Sequence, residues 1–303
     1  MLSLEHIIAL QNIPALGKTA VPRLCALAAG ADVGSCAALH ALIVQNASSP
    51  AAARLPLSAV ENALALAERI ASDAARRGIG ILTLQDAAFP ASLLYAMNAS
   101  GRTDPSPLLY YRGSLDALFM PGVAVVGTRN PTPEGWEDGA YYGAALAEAG
   151  CNVTGGLALG CDAQAHRGAL SRRGVTTAFL AHGLDMVYPR EHLALARAIV
   201  ENGGLLLSEH PAGVRPSPRN FVARNRLQVA LARATLVIQA GAKGGTMHTG
   251  NMTLAAHKPL FCVRYDAPSE PATCLGNAML VRAGGRYVER RHGEADILRA
   301  ILP

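Results

Sequence analysis

Hydrophobic positions in the first quarter of the chain recur at helical spacing. Leu4, Ile7 and Ile8 share one face of a first helix, and Gln11 ends that series. Asn12 to Ala20, reading NIPALGKTA, forms a turn into a second helix near residues 21–29. Ser48-Ser49-Pro50 breaks the region, and a long helix follows over Leu57–Arg76. From Gly78 the pattern changes to short apolar runs rich in β-formers, at 80–84, 108–111 and 123–126. Strands at 123–126, 151–154, 176–180, 205–207, 236–239 and 260–263 then alternate with helices near 134–149, 163–172, 190–201, 221–233 and 247–256. Apolar strands alternating with helices predict βαβ units. The expected fold is α/β: an extended Rossmann-like, doubly wound, mostly parallel sheet over residues 78–303, preceded by a small helical domain over residues 1–77.

Composition narrows the class. Of 303 residues, 50% are hydrophobic and 16% charged, which excludes wholesale disorder. No apolar run approaches the ~20 residues of a membrane span. The start, MLSLEHIIAL, lacks the basic region of a signal peptide, and the six cysteines form no CxxC pair, so a cytoplasmic setting with reduced thiols is expected. The net charge is only +5, but its distribution is uneven. Lys18, Lys243 and Lys258 are the only lysines; the other basic residues are arginines. Between Glu209 and Asp266 no acidic residue occurs, while Arg215, Arg219, Arg224, Arg226, Arg233, Lys243, Lys258 and Arg264 do. The arginine excess alone is equally a compositional bias, which does not account for the missing carboxylates. A segment of one sign favours an anionic partner, and the arginine fork suits phosphate oxygens.

In such a sheet, ligands bind beyond the carboxyl ends of the strands. The loop Gly127-Thr128-Arg129-Asn130-Pro131-Thr132 follows a strand and opens a helix, a setting that favours an anion. It lacks the Gly-x-Gly-x-x-Gly spacing of a dinucleotide site, and no acidic residue ends the next strand, so NAD is not expected. Gly155-Gly156 begins a second glycine-rich loop running to Cys161-Asp162, before a helix bearing His166 and Arg167. Cys161, Asp162 and His166 have no matching cluster elsewhere, so a metal site is not expected, and no cofactor is expected either. His182 to Arg190 and Asn220 to Arg226 follow. Arg224 and Arg226 diverge by ~200° on a helix, so one of them faces a given ligand. Gly241-Ala242-Lys243-Gly244-Gly245-Thr246 is again a phosphate cradle, with Lys243 as point charge and Thr246 as donor. Several such turns along one sheet edge suit a polynucleotide backbone better than a single nucleotide. Helix, glycine-containing turn and helix at residues 12–20 resemble a helix-hairpin-helix element, although Ala15 stands where a first glycine is usual; a plain packing hairpin is the expectation.

Residues 123–132, 155–170 and 183–191, with Arg224-Asn225-Arg226, resemble the DprA/Smf DNA-processing family over roughly Gly80 to Val288. The N-terminus also resembles that family's SAM-like domain. The resemblance implies an extended Rossmann fold that binds and protects single-stranded DNA. It also implies a homodimer and help in loading a RecA-type recombinase during natural transformation. By the family pattern, Thr128, Arg129, Thr132, Gly156 and the Lys243–Thr246 loop hold phosphates; Gly127, Gly155, Arg167, Arg190, Arg224, Asn225 and Arg226 complete the candidate set. There are departures. Gly244-Gly245-Thr246 stands where Ser-Gly-Ser is common, Phe261 to Tyr265 lacks a following Pro-Gly, and no winged-helix tail precedes Pro303. Family dimer and recombinase contacts lie toward that end of the fold.

Two other functions compete with a non-enzymatic DNA-binding mediator. Gly244-Gly245-Thr246 is similar to the loop of LOG-like phosphoribohydrolases, but the catalytic Glu is missing, and only His166 or His248 remains for acid–base work. A sensor holding one small nucleotide in the same cradle is the other, in a mobile-element or defence role. Aromatic residues make up 5% of the chain, so base stacking is expected to be a minor contribution.

Overall fold

The computed structural model describes residues 1–30, 32–265 and 274–302. Asp266, the first carboxylate after the acid-free stretch, lies outside the described residues. The chain opens with α1 (Leu4–Gln11), α2 (Ala20–Leu27), α3 (Cys36–Gln45), α4 (Pro50–Ala53) and α5 (Leu57–Arg76). Ser3 starts α1 with a capping box: its hydroxyl accepts the His6 amide, and His6 accepts the Ser3 amide. Ser35 and Ser49 cap α3 and α4 in the same direction.

Then come β1 (Gly80–Thr83), β2 (Leu108–Gly113), β3 (Gly122–Val126), α6 (Pro133–Glu148), β4 (Asn152–Gly155), α7 (Cys161–Ser171), β5 (Thr176–Leu180), α8 (Leu193–Glu201) and β6 (Leu205–Ser208). The chain continues through α9 (Pro218–Leu231), β7 (Ala234–Val237), α10 (Gly245–Ala255), β8 (Leu260–Val263), α11 (Leu275–Arg282), β9 (Arg286–Val288) and α12 (Glu294–Ile301). The strands form one sheet in the order β1-β2-β6-β5-β4-β3-β7-β8-β9. β1 and β2, and β2 and β6, pair antiparallel; the remaining pairs are parallel.

Strand side chains alternate between two cores, as a period of two requires. Val123, Val125, Phe261 and Val263 pack with α6, α7 and α12, whereas Val126, Leu260 and Cys262 pack beneath α10 and α11. Further along the sheet, Leu108, Tyr110, Leu180 and Leu206 share one apolar cluster with Ile7, Leu24 and Ile43 of the N-terminal helices. The helical segment and the sheet are therefore joined by a continuous core. α6 and α7 approach closely because Gly143 lies against the Ala165 backbone and Gly168 against the Ala140 backbone. A side chain at either place would drive the helices apart.

Arg226 anchors the opposite face of α9. Its side chain is wholly buried and grips Glu209 with both guanidinium nitrogens, Nη1 at 2.7 Å and Nη2 at 2.5 Å, while Nε meets Asp104 at 2.9 Å. Burial opposes the Glu209 charge, but Arg226 outweighs it and holds that carboxyl below its usual value. Lys18, at the hairpin turn, reaches Asp104 at 3.1 Å, so the same carboxylate ties the N-terminal helices to the sheet. Arg226→Met leaves Glu209 without its guanidinium partner and should lower unfolding free energy by about 3–5 kcal/mol in urea denaturation. A loss below about 1 kcal/mol would show that the pair is solvated.

Candidate nucleic-acid interface

The sheet changes winding direction between β3 and β7, which are neighbours although the chain leaves them for opposite ends of the sheet. At such a point the two loops beyond the strand ends part and leave a crevice. Here it is a cleft of about 310 Å³. One wall is the loop after β3 (Gly127, Thr128, Arg129), the second is the loop after β7 with the start of α10 (Lys243, Gly244, Gly245, Thr246), and the third is α9 (Phe221, Arg224, Asn225, Gln228).

The rim carries positive charge. Arg129 and Lys243 are exposed, and among the described residues neither meets a carboxylate. Arg129 stacks over the Phe221 ring at 5.4 Å, and Phe221 leans on Tyr188 at 5.7 Å. Gly244 turns with φ +118°, a region that excludes most side chains, and no side chain caps α10 behind it. The first amides of α10 therefore open on the cleft with the positive end of the helix dipole. The Thr128 amide is taken by the Gln239 carbonyl at 2.7 Å, and its hydroxyl accepts the Asn130 amide at 3.3 Å, so its proton remains to donate.

Beneath the rim lie two buried side chains of opposite charge, Asp162 and Arg224. Asp162, in the first turn of α7, accepts the Gly156 amide at 2.9 Å, and the Gly127 amide bonds to it as well. Arg224 donates to the Gly156 carbonyl at 2.9 Å, to the Phe179 carbonyl, and through Nε to Asn225 Oδ1 at 3.1 Å. Burial pushes the Asp162 carboxyl up, against the pull of Arg224 and the amides, and pushes Arg224 down to about 10. Arg224 thus lines the cleft, held by the loop after β4, by β5 and by its neighbour Asn225.

The structure gathers Gly127, Thr128, Arg129, Arg224, Asn225, Lys243, Gly244, Gly245 and Thr246 around this one cleft. Other candidates lie elsewhere. Arg226 is the correction: it points to the far face of α9, into Glu209 and Asp104, as the helical angle between it and Arg224 requires. The Thr132 hydroxyl caps α6, accepting the Gly135 amide at 3.3 Å and the Gln239 amide nitrogen at 2.9 Å, so it faces that helix and not the cleft. Gly155 is buried against His166, and the Gly156 amide, expected to hold phosphate, is occupied by Asp162. Arg167 and Arg190 are exposed on the neighbouring surface, beside Trp136 and Met186 respectively. Of the other basic residues in the acid-free stretch, Lys258 donates to the Val229, Ala230 and Ala232 carbonyls at the end of α9, Arg233 to the Ile301 carbonyl, and Arg264 to Glu289. Sequence reasoning missed Phe221 and Tyr188, whose rings carry Arg129. The clue was an aromatic in each of two arginine-bearing loop motifs.

His166 is a core residue. Nδ1 lies 2.6 Å from the Thr176 hydroxyl, Nε2 has no partner, and burial pushes its pKa down to about 3. It is neutral at pH 7 and sealed from the cleft. An unfolded histidine protonates below about 6.5. Between that value and about 3 the unfolded chain binds the extra proton, so stability falls as pH drops, by up to about 1.4 kcal/mol per unit from this ring. His166→Gln should flatten the acid limb of a stability–pH curve; an unchanged limb would place the ring's pKa near its ordinary value.

A crevice at the switch point, rimmed among the described residues by cations with no carboxylate in contact and by an uncapped helix start, belongs here to a Rossmann-like α/β protein. Its family follows from comparison. The sequence model for DNA recombination-mediator protein A matches residues 80–299, and the chain belongs to this family, DprA/Smf. It is 37% identical over 222 residues to a putative DNA processing protein DprA of Mycobacterium tuberculosis, covering 71% of this chain and 56% of that protein. It is 40% identical over 161 residues to Protein Smf of Synechocystis, covering 52% and 40%. The chain thus spans about half the length of these relatives. The crystal structure of DprA from Streptococcus pneumoniae superposes with a TM-score of 0.79 at 22% identity, over 98% of both chains. A structure of DNA processing protein A from Helicobacter pylori, described for its single-stranded DNA binding mode, gives 0.62 at 28% identity over 72% of this chain and 95% of that one.

Proposed function

We propose that this chain binds single-stranded DNA across the switch-point cleft and acts as a non-enzymatic mediator. The observation that carries the reading is the pair of free cations, Arg129 and Lys243, on opposite walls of a cleft that also receives the start of α10. The binding described for the Helicobacter pylori neighbour supports it. Phosphates meet the cations and amides at the rim, while the Phe221 and Tyr188 rings beside Arg129 offer faces that unpaired bases reach and stacked duplex bases do not. Among the described residues the cleft's one carboxylate, Asp162, is buried and engaged by two amides, and His166 is wholly buried, so neither is exposed to a ligand for acid–base chemistry. Candidate contacts beyond the cleft are Arg167 and Arg190. Protection of the strand, a homodimer and the loading of a RecA-type recombinase complete the proposal, on the strength of family membership.

Binding governed by phosphate contact weakens steeply with salt. A fluorescence titration of oligo-dT across a salt series should give a log–log slope of several units, with duplex of equal length bound more weakly. Arg129→Ala and Lys243→Ala should each weaken binding several-fold and reduce the slope by about 0.7–1, one phosphate contact apiece. A flat salt response, or unchanged affinity in both variants, would remove the assignment. Displacement of oligo-dT by a micromolar mononucleotide would instead favour a nucleotide sensor.

A further inference from the structure

Past Leu159, outside the cleft, the surface holds a second, shallow depression of about 410 Å³ that shares no lining residue with the cleft. Trp136, near the start of α6, borders it; this is the chain's only tryptophan, and it is 47% exposed. Arg167 of α7 borders it too, exposed and, among the described residues, without a carboxylate in contact. Between them lies Gln164, one turn before Arg167 on α7 and 5% exposed. Its Nε2 is buried without a partner, and its oxygen makes no hydrogen bond to any described residue. A single exposed apolar side chain needs no explanation. A buried amide left unpaired is costly, and native proteins rarely keep one without a ligand or a bound water. An exposed aromatic face, an unpaired amide and a free guanidinium thus meet at one place on α6 and α7.

We propose that this depression is a stacking shelf for one nucleotide of the strand after it leaves the cleft: a base lies on the Trp136 ring, the Gln164 amide pairs with its edge, and its phosphate meets Arg167. This rests on the proposed binding of single-stranded DNA and deepens it, extending the site from the switch point to α6 and α7. Continuity favours DNA as the occupant. Leu159, 42% exposed, borders both the depression and the recess formed by Arg129, Tyr188 and Phe221, so a strand crossing that residue passes from one to the other. The chemistry agrees. Every base has a face that stacks on an aromatic ring, and only an unpaired strand can offer it. An amide presents a donor and an acceptor side by side, the pattern that base edges complement. Glu191 also borders the depression and is unpaired among the described residues; its carboxylate repels phosphate and leaves Arg167 as the place for it.

The test reads Trp136 directly, since no other tryptophan contributes to the emission. The full chain is titrated with fluorescein-labelled oligo-dT of about four and of about twelve nucleotides, lengths within the range of single-strand sites. Anisotropy of the label reports binding, and tryptophan emission reports the shelf. The longer oligonucleotide should quench most of the Trp136 emission as it binds. Trp136→Ala should weaken its binding about fivefold or more, the worth of one stacked base, and Trp136→Phe should restore it. The shorter oligonucleotide, held by the cleft, should lose little. Binding of the longer oligonucleotide with unchanged Trp136 emission would overturn the shelf and leave DNA binding in the cleft intact, and needs no variant to fold. Equal loss for both lengths in Trp136→Ala would place Trp136 with the cleft and overturn a separate shelf. Absence of binding at either length would defeat the DNA-binding reading and the shelf with it.

Discussion

The cleft depends on two buried side chains of opposite charge, Asp162 and Arg224. Asp162 draws in the amides of Gly156 and Gly127, and Arg224 draws in the carbonyls of Gly156 and Phe179. Together the two side chains bind the ends of β3, β4 and β5 to α9. The guanidinium lies over Gly156, where a Cβ would meet it, which is why this loop carries no side chain there. Taking charges out of water is costly, and each of the two is compensated by hydrogen bonds to the backbone, Asp162 from amides and Arg224 to carbonyls. The arrangement gives position more than stability: it fixes the backbone that presents Arg129 and aligns α9 against the start of α10.

That pair also separates the cations that build the fold from those available to a ligand. The acid-free stretch from His210 to Tyr265 reads as one basic surface, and in three dimensions it is not. Arg224, Arg226, Arg233, Lys258 and Arg264 satisfy backbone carbonyls or carboxylates. Arg215, Arg219 and Lys243 remain exposed and, among the described residues, unpaired. The scarcity of carboxylates matters most at the rim, where, among the described residues, neither Arg129 nor Lys243 has a carboxylate in contact and Asp162 acts on Arg129 only at a distance.

The layout of the fold was legible because buried parallel strands are continuous apolar runs. The strands at 176–180 and 260–263 and the helix Leu57–Arg76 fall where the pattern places them. β7 starts two residues before the expected run, because Ala234 and Thr235 pair with β3 although neither is strongly apolar. β9 and α12 were not anticipated. β9 is three residues long, with the exposed Arg286 at one end, too short for a period to register. At the cleft, the glycine loops were legible as turns between strand and helix. The partners of each amide were not, because Gln239 and Asp162 reach Thr128, Thr132 and Gly156 across the fold. The low aromatic content makes base stacking a minor expectation, and it gave no sign that the fold brings the Phe221 and Tyr188 rings to the Arg129 side of the cleft.

α9 shows why residue type alone does not assign function. Arg224, Asn225, Arg226 and Gln228 are close in sequence and all are buried, but the helix turns Arg226 away from the face that Arg224 and Gln228 share. Arg226 faces carboxylates and joins the core. Arg224 faces carbonyls and shapes the cleft wall. Asn225 is shared between Arg224 and the Gly245 carbonyl at 3.4 Å, linking the wall to the start of α10. Gln228 faces only the cleft floor. Three of the four have hydrogen-bond partners among the described residues. The fourth does not, and a polar group that folding leaves unpaired in a concave site is where binding has the most to gain.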